Sequence, residues 1–111
     1  TVLVPGASAN AVAPTERIRV EVLNAGGVSG LARAARDDLR EAGFDVVDFR
    51  NAERMDQDSS VVLDRVGDLD MAEAVAKALG IGNVRSEPDP NLFVDVSVRL
   101  GSAWQPESKR R

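Results

Sequence analysis

A glycine-rich segment at residues 24–30 (NAGGVSG) has the composition of a loop that could bind an anion or a sugar carboxylate. It joins an alternating apolar run to a stretch with helical spacing, so free amides and the helix dipole would attract negative charge there. It is not a nucleotide loop, because it lacks the Lys-Ser/Thr ending of a P-loop and the full Gly-x-Gly-x-x-Gly spacing. The favoured alternative is a tight turn that needs glycine to close and binds nothing. The residues that would form the site are Asn24, Gly26, Gly27, Ser29 and Gly30.

A second candidate site is a predicted sheet face that carries charged side chains at every second position. Arg17, Arg19 and Glu21 alternate with apolar residues in one run, and Asp95, Ser97 and Arg99 do so in another. Guanidinium groups at Arg17, Arg19 and Arg99 could bind glycan carboxylates and hydroxyls through paired hydrogen bonds. The alternative is a solvated face with cross-strand ion pairs, which contribute little stability.

Catalysis is disfavoured by the residue types present. The chain has no His and no Cys, which removes the commonest general base, the commonest metal ligand and any thiol nucleophile. The carboxylates are scattered and form no spaced pair. We therefore expect no enzyme activity, no cofactor and no metal. Trp104 could stack on a sugar, although a lone ring more often packs a terminal segment onto the fold.

The charge balance disfavours one class of partner. The 111 residues carry 14 basic and 18 acidic side chains, a formal net charge of −4. Nucleic-acid binding depends mainly on neutralising phosphates, so no nucleic-acid partner is expected. No run is long and apolar enough to span a bilayer. Because the chain does not begin with Met, an N-terminal membrane anchor that precedes it is an open expectation.

The spacing of apolar residues predicts two copies of a strand-helix-strand unit followed by a last strand. Strands are expected near residues 17–22, 44–49, 60–65, 83–86 and 92–100, with helices after Ser29 and over 71–79. Ser29 and an Asp70/Glu73 capping box are expected to begin the helices, and Gly43 and Gly80 to end them. Residues 50–60 are expected to form a loop.

This pattern predicts an α/β chain built as an α+β two-layer sandwich. Two helices would cover one face of a mixed four- to five-stranded sheet, in the order β-α-β-β-α-β-β. We expect residues 1–15 to be a Pro/Ala-rich linker, 16–101 the domain and 102–111 a polar basic tail.

Several segments together resemble the LytR C-terminal domain family. They are VEVLNAGGVSGLA, LREAGFDVV, SSVVL, AEAVAKALGI and the closing FVDVSVRLG, which cover residues 17–101. Two departures stand out, because Leu63-Asp64 replaces a frequent aromatic in the third strand and Ser102 replaces a frequent acidic residue. The leader and tail look closest, within the family, to a mycobacterial envelope protein involved in vesicle release.

The resemblance implies an extracytoplasmic protein anchored by one membrane-spanning helix. It implies a non-catalytic envelope module that binds peptidoglycan or another wall glycan, wall-ligating LytR-CpsA-Psr proteins, or both. The alternative is a protein-interaction or oligomerisation domain that does not bind glycan.

Overall fold

A computed structural model of the chain describes residues 18–106 and contains seven regular elements. The predicted linker at 1–15, Arg17 and residues 107–111 lie outside the described part. The elements in chain order are β1 (Arg19–Asn24), α1 (Leu31–Glu41), β2 (Asp45–Asn51), β3 (Val61–Asp64), α2 (Leu69–Leu79), β4 (Val84–Ser86) and β5 (Val96–Leu100). This confirms the predicted order. Several bounds were wrong. β1 and α2 are displaced or extended by two residues, β3 is one residue shorter at each end, β2 runs two residues into the expected loop, and β5 begins at Val96 and not at Leu92.

The five strands form one mixed sheet in the order β2-β1-β5-β3-β4. β1 pairs in parallel with β2 and β5, β3 pairs in parallel with β4, and β3 runs antiparallel to β5. Each predicted unit is therefore a pair of adjacent parallel strands joined by its helix, as expected. The last strand lies between the two units and joins them into one sheet.

Both helices cover the same face of this sheet. Apolar side chains from α1, α2 and alternate strand positions form one buried cluster, and the two helices touch each other. Val20 of β1, Val62 of β3 and Val98 of β5 are fully buried in this cluster. Each such aliphatic side chain contributes about 1.5–3 kcal/mol on burial. Among residues 18–106, no helix lies on the other sheet face, which we call the open face.

The helix ends differ from the predicted caps. At α1 the cap residue is Gly30, with φ 85° and no side-chain hydrogen bond, so the prediction that Ser29 caps the helix was wrong. A left-handed residue between Ser29 and the helix directs the chain away from that hydroxyl. At α2, Asp68 is the cap and its side chain accepts from the amide of Asp70, so the predicted box was misplaced by two residues. The left-handed glycines after the helices, Gly43 and Gly80, confirm the expected stops.

The chain stays packed beyond β5. The loop between β2 and β3 bonds to the segment after Gly101 through Ser102 N to Gln57 O at 2.9 Å and Ala103 N to Asp58 O at 3.0 Å. Trp104 is buried, and its indole N–H donates to Leu79 O at 2.8 Å. Within residues 18–106, neither helix is long and apolar enough to cross a membrane.

Candidate functional site

The glycine-rich loop after β1 uses its own polar groups internally. Asn24 is buried; its Oδ1 accepts from the amides of Gly26 and Gly27, each at 3.2 Å, and its Nδ2 donates to Val28 O at 2.7 Å. Two of the amides that were expected to bind an anion are thus already bonded to Asn24. This geometry favours the tight-turn alternative for the loop.

Close packing explains the glycines in this loop. A Cβ on Gly26 would lie 2.2 Å from Ser102 N, and one on Gly27 would lie 3.1 Å from Met55 O. Gly27 and Gly30 also have φ of 75° and 85°, which favour glycine. Ser29 is exposed and makes no cap.

The same turn occurs again at the end of β3, where Asp64 occupies the position of Asn24. Asp64 Oδ1 accepts from the amides of Val66 and Gly67 at 2.9 and 2.8 Å, and Gly67 has φ 84°. Because each strand-helix-strand unit has this turn, the turn is a feature of the duplicated fold and not of a ligand site that occurs only once. Asp64 is therefore structural, and its carboxylate also accepts from Ser86 Oγ at 2.8 Å.

The ionisation of Asp64 follows from this arrangement. Burial raises the pKa of Asp64, but hydrogen bonds from the amides of Asp68, Val66 and Gly67 and from the Ser86 hydroxyl lower it further than burial raises it. The net effect holds the pKa of Asp64 below its ordinary value of 3.8. The carboxylate is thus charged at neutral pH and fully paired.

The open face of the sheet carries a buried polar network at its centre. Ser97 on β5 donates to Glu21 Oε2 on β1 at 2.5 Å, and Arg65 Nε donates to Ser97 Oγ at 2.9 Å. Arg50 on β2 donates to Glu21 Oε1 at 3.5 Å and is also paired with Asp48. Glu21 was expected on a solvated face, but the network covers it and leaves it 6% exposed. The network fixes Arg50 and Arg65 on opposite sides of Glu21.

Two shallow depressions lie on the open face, one on each side of Arg99. The β2-side depression has a volume of about 340 Å³ and the β4-side depression about 360 Å³. The first is lined by Leu23, Arg50, Asn51, Ala52, Glu53, Arg54 and Arg99. The second is lined by Gln57, Val61, Leu63, Arg65, Arg85, Glu87 and Arg99. Arg99 is the residue they share.

These depressions are basic although the domain is acidic. Residues 18–106 carry 10 basic and 16 acidic side chains, a net charge of −6. The two linings together contain five arginines and two glutamates, a net charge of +3. Such a concentration of guanidinium groups attracts carboxylate or phosphate groups.

Arg85 and Arg99 differ from the other arginines that line the depressions. Arg50, Arg54 and Arg65 each have an ion pair or hydrogen bond through the side chain. Arg85 and Arg99 make no side-chain hydrogen bond or ion pair with any residue in the 18–106 range, so within that range their guanidinium donors are not used.

The predicted site residues are thus divided between two places. Asn24 is the last residue of β1, and the other predicted loop residues, up to Gly30, follow the end of that strand, whereas Arg99 lies in the middle of the open face. Arg19 is on the same face but beside Asp95, whose carboxylate accepts from the Arg19 amide at 2.9 Å. Arg19 lines neither of these depressions.

Sequence reasoning missed Arg50, Arg65 and Arg85. Arg50 was assigned to the loop after β2, and Arg65 and Arg85 were placed at strand ends without a partner strand. The sequence carries no local signal for the strand order. Because β5 lies between the two units, all three residues come to the same face as Arg99.

Trp104 could have stacked on a sugar or packed the terminal segment onto the fold, and the structure shows it buried, with its indole N–H bonded to Leu79 O of α2. Among residues 18–106, no group of three or more His, Cys, Asp or Glu residues is placed to hold a metal ion. The groups that line the depressions on the open face are mainly arginines, with the partly exposed Val61 beside them.

Comparison with known proteins gives a family but no individual relative. No curated protein and no solved structure matches the chain. The family LytR_C, described as "LytR cell envelope-related transcriptional attenuator", matches residues 17–104, which include all seven elements and Trp104. The chain therefore belongs to the LytR_C family and is a cell envelope-related domain.

Proposed function

We propose that this domain is a non-catalytic module of the cell envelope that binds wall glycan through the open face of its sheet. The observation that carries the proposal is the pair of depressions around Arg99. Their net positive charge contrasts with the acidic body, and Arg85 and Arg99 have no side-chain partner there among residues 18–106. Membership in an envelope-related family supports wall polymers as the ligands.

The chemistry of the face suits a glycan. Guanidinium groups donate paired hydrogen bonds to carboxylates and to neighbouring hydroxyls. Val61 supplies partly exposed aliphatic surface beside Arg99 on which the apolar face of a sugar ring can lie, whereas Leu23 and Leu63 are buried. The Glu21–Ser97–Arg65 network holds the centre of the face rigid, which reduces the ordering cost of binding.

A protein-interaction or oligomerisation domain is the alternative. The exposed edge strand β2 would be its natural surface, but it carries a bulge at Val47 and charged side chains at Asp45, Asp48 and Arg50. Natural edge strands use bulges and charges to prevent pairing with other chains. These features favour the sheet face over the sheet edge.

The wider setting of this module also belongs to the proposal. We place it outside the cytoplasmic membrane, in a protein held by a single N-terminal anchor, where it would act with wall-ligating LytR-CpsA-Psr proteins. The proposal extends to a contribution to envelope integrity and vesicle release, which a resemblance of the leader and tail to those of the mycobacterial protein VirR would imply.

Cosedimentation with purified insoluble peptidoglycan tests the proposal. The wild-type domain is expected to pellet with the wall, and the double variant R85Q/R99Q is expected to lose at least about tenfold in affinity, since two charge-assisted contacts of about 1 kcal/mol or more are removed. Arg33 on α1 is exposed and lies in neither depression, so R33Q is the matched control and should bind as wild type.

Equal pelleting of R85Q/R99Q and wild type would contradict the sheet face as the binding surface. Failure of the wild-type domain to pellet would favour the protein-interaction alternative. Unfolding curves of all three proteins check that the substitutions leave the fold intact.

A further inference from the structure

The arginines on the open face form a line across the sheet. Arg50 pairs in register with Leu23, and Leu23 pairs with Arg99, so two strand spacings, or about 10 Å, separate Arg50 from Arg99. From Arg99 the register continues to Val61, and Arg85 lies one strand further, opposite Leu63. Arg85 is therefore also about 10 Å away across the strands and about 7 Å along them.

This line divides the site into two binding positions with one shared residue. Each depression contains three arginines and one glutamate, and both contain Arg99. Aliphatic residues occupy the intervals: the buried Leu23 lies between Arg50 and Arg99, and the partly exposed Val61 and the buried Leu63 lie between Arg99 and Arg85. Arginine positions thus recur across the strands about every 10 Å.

We infer that the ligand is a linear glycan with recurrent anionic groups, about two sugar rings apart, which crosses the strands and occupies both depressions at once. This inference depends on the proposed function and specifies its ligand class. One anionic group would lie near Arg50 and Arg99, and the next near Arg99 and Arg85. The partly exposed Val61 would contact the sugar between Arg99 and Arg85.

The structure assigns unequal contributions to these arginines. Arg50 already has Glu21 and Asp48 as partners, and Arg65 already bonds to Ser97 Oγ and Glu87 O. Their charge is partly compensated, so they mainly position the site. Arg99 has no side-chain partner among residues 18–106 and belongs to both depressions, so its removal should weaken both positions. Removal of Arg85 should weaken only one.

A chain-length series tests this inference. Hyaluronan oligosaccharides carry one carboxylate on every second sugar, so disaccharide, tetrasaccharide and hexasaccharide offer one, two and three regularly spaced charges. Affinity for the wild-type domain, measured by calorimetry, is expected to rise at least tenfold from disaccharide to tetrasaccharide, because the second position is then filled by an intramolecular step. R99Q should abolish this rise and R85Q should reduce it, whereas R33Q should leave it unchanged.

Four further ligands define the outcomes. Chitin hexasaccharide, which is neutral, should bind at least tenfold more weakly than the hyaluronan hexasaccharide. A glycerol-phosphate oligomer tests phosphate as the anionic group. If it binds more strongly than hyaluronan and with the same dependence on Arg99, the anionic group in this inference is phosphate. If single-stranded DNA binds as tightly as hyaluronan and with the same dependence on Arg99, the assignment to a glycan is wrong. Binding to insoluble peptidoglycan is measured as the fourth case, because it tests the proposed function separately from the two-position inference.

If wild type pellets with peptidoglycan but shows no length dependence with any anionic oligomer, the two-position inference is wrong and the proposed function stands. If neither peptidoglycan nor any oligomer binds, both are wrong.

Discussion

Gly26→Ala is expected to lower the free energy of unfolding by about 3 kcal/mol or more, the upper range for overpacking a well-packed site. The added methyl group would lie 2.2 Å from Ser102 N and 2.5 Å from Gly101 C, both backbone atoms. These atoms cannot move freely, because Ser102 N donates to Gln57 O and the loop that contains Gln57 bonds back to Ala25 O. The substitution would therefore force apart the three segments that meet at this end of the sheet, namely the loop after β1, the loop between β2 and β3, and the segment after β5.

Chemical denaturation measures the effect directly. A domain of this size is expected to lose more than about 10 °C in melting temperature for a loss of this magnitude. Gly82 is the control, because a Cβ there would have no heavy atom within 4 Å and its φ is ordinary. Gly82→Ala should change the free energy of unfolding by less than about 1 kcal/mol. Similar stabilities of the two variants would contradict the close packing at Gly26.

The second large effect is expected at Asp64. Asp64→Ala should cost about 3–5 kcal/mol, because it leaves two amides and the Ser86 hydroxyl without the buried carboxylate that accepts from them. Asp64→Asn should cost less, since an amide oxygen can accept from Val66 N and Gly67 N as Asn24 does in the other turn. The pair of variants separates loss of the acceptor from loss of the charge.

The pH dependence of the free energy of unfolding tests how much the charge of Asp64 contributes to stability. The pKa of Asp64 is lower in the folded protein than its ordinary value of 3.8. Its contribution to stability is therefore fully present above that value and is lost as the pH falls through the lower folded-state pKa. Wild type should lose more stability than Asp64→Asn when urea unfolding is compared at pH 7 and at pH values below 3.8. Parallel losses in the two proteins would show that Asp64 does not contribute to the acid sensitivity.

The sequence predicted the elements well because each carries a local signal. The alternation in β1 and β5 and the apolar spacing of both helices depend only on neighbours in the chain. The helix caps were predicted less well, because Ser29 and Asp70 suit the cap position by residue type. The backbone angles at Gly30 and Asp68 decide where each helix begins.

The site could be predicted only in part because it is made by strand order. Alternation alone put Arg99 and Ser97 on one face and Glu21 on the corresponding face of β1. It could not show that β5 lies between β1 and β3, which gives Glu21 a buried partner in Ser97 and brings Arg65 to it. Residues far apart in sequence, Arg50, Arg85 and Arg99, come together only through these non-local pairings.

The loop after β1 shows the opposite case. Its glycines and its position before a helix are typical of an anion-binding loop, and the sequence alone left both readings open. The feature that favours the tight turn is Asn24, whose Oδ1 accepts hydrogen bonds from the amides of Gly26 and Gly27. The second copy at Asp64 suggests that a strand-ending Asn or Asp, followed by Gly three residues later, marks this turn.

Chemical-shift mapping with a soluble wall glycan fragment is the most direct test of the sheet face as the ligand-binding surface. We predict that the largest perturbations of backbone amides fall at residues on the two depressions, including Leu23, Arg50, Leu63, Arg85 and Arg99. Amides 26–33, in the loop after β1 and the first turn of α1, should shift little. Perturbations concentrated at 26–33, with the open face unchanged, would contradict the account.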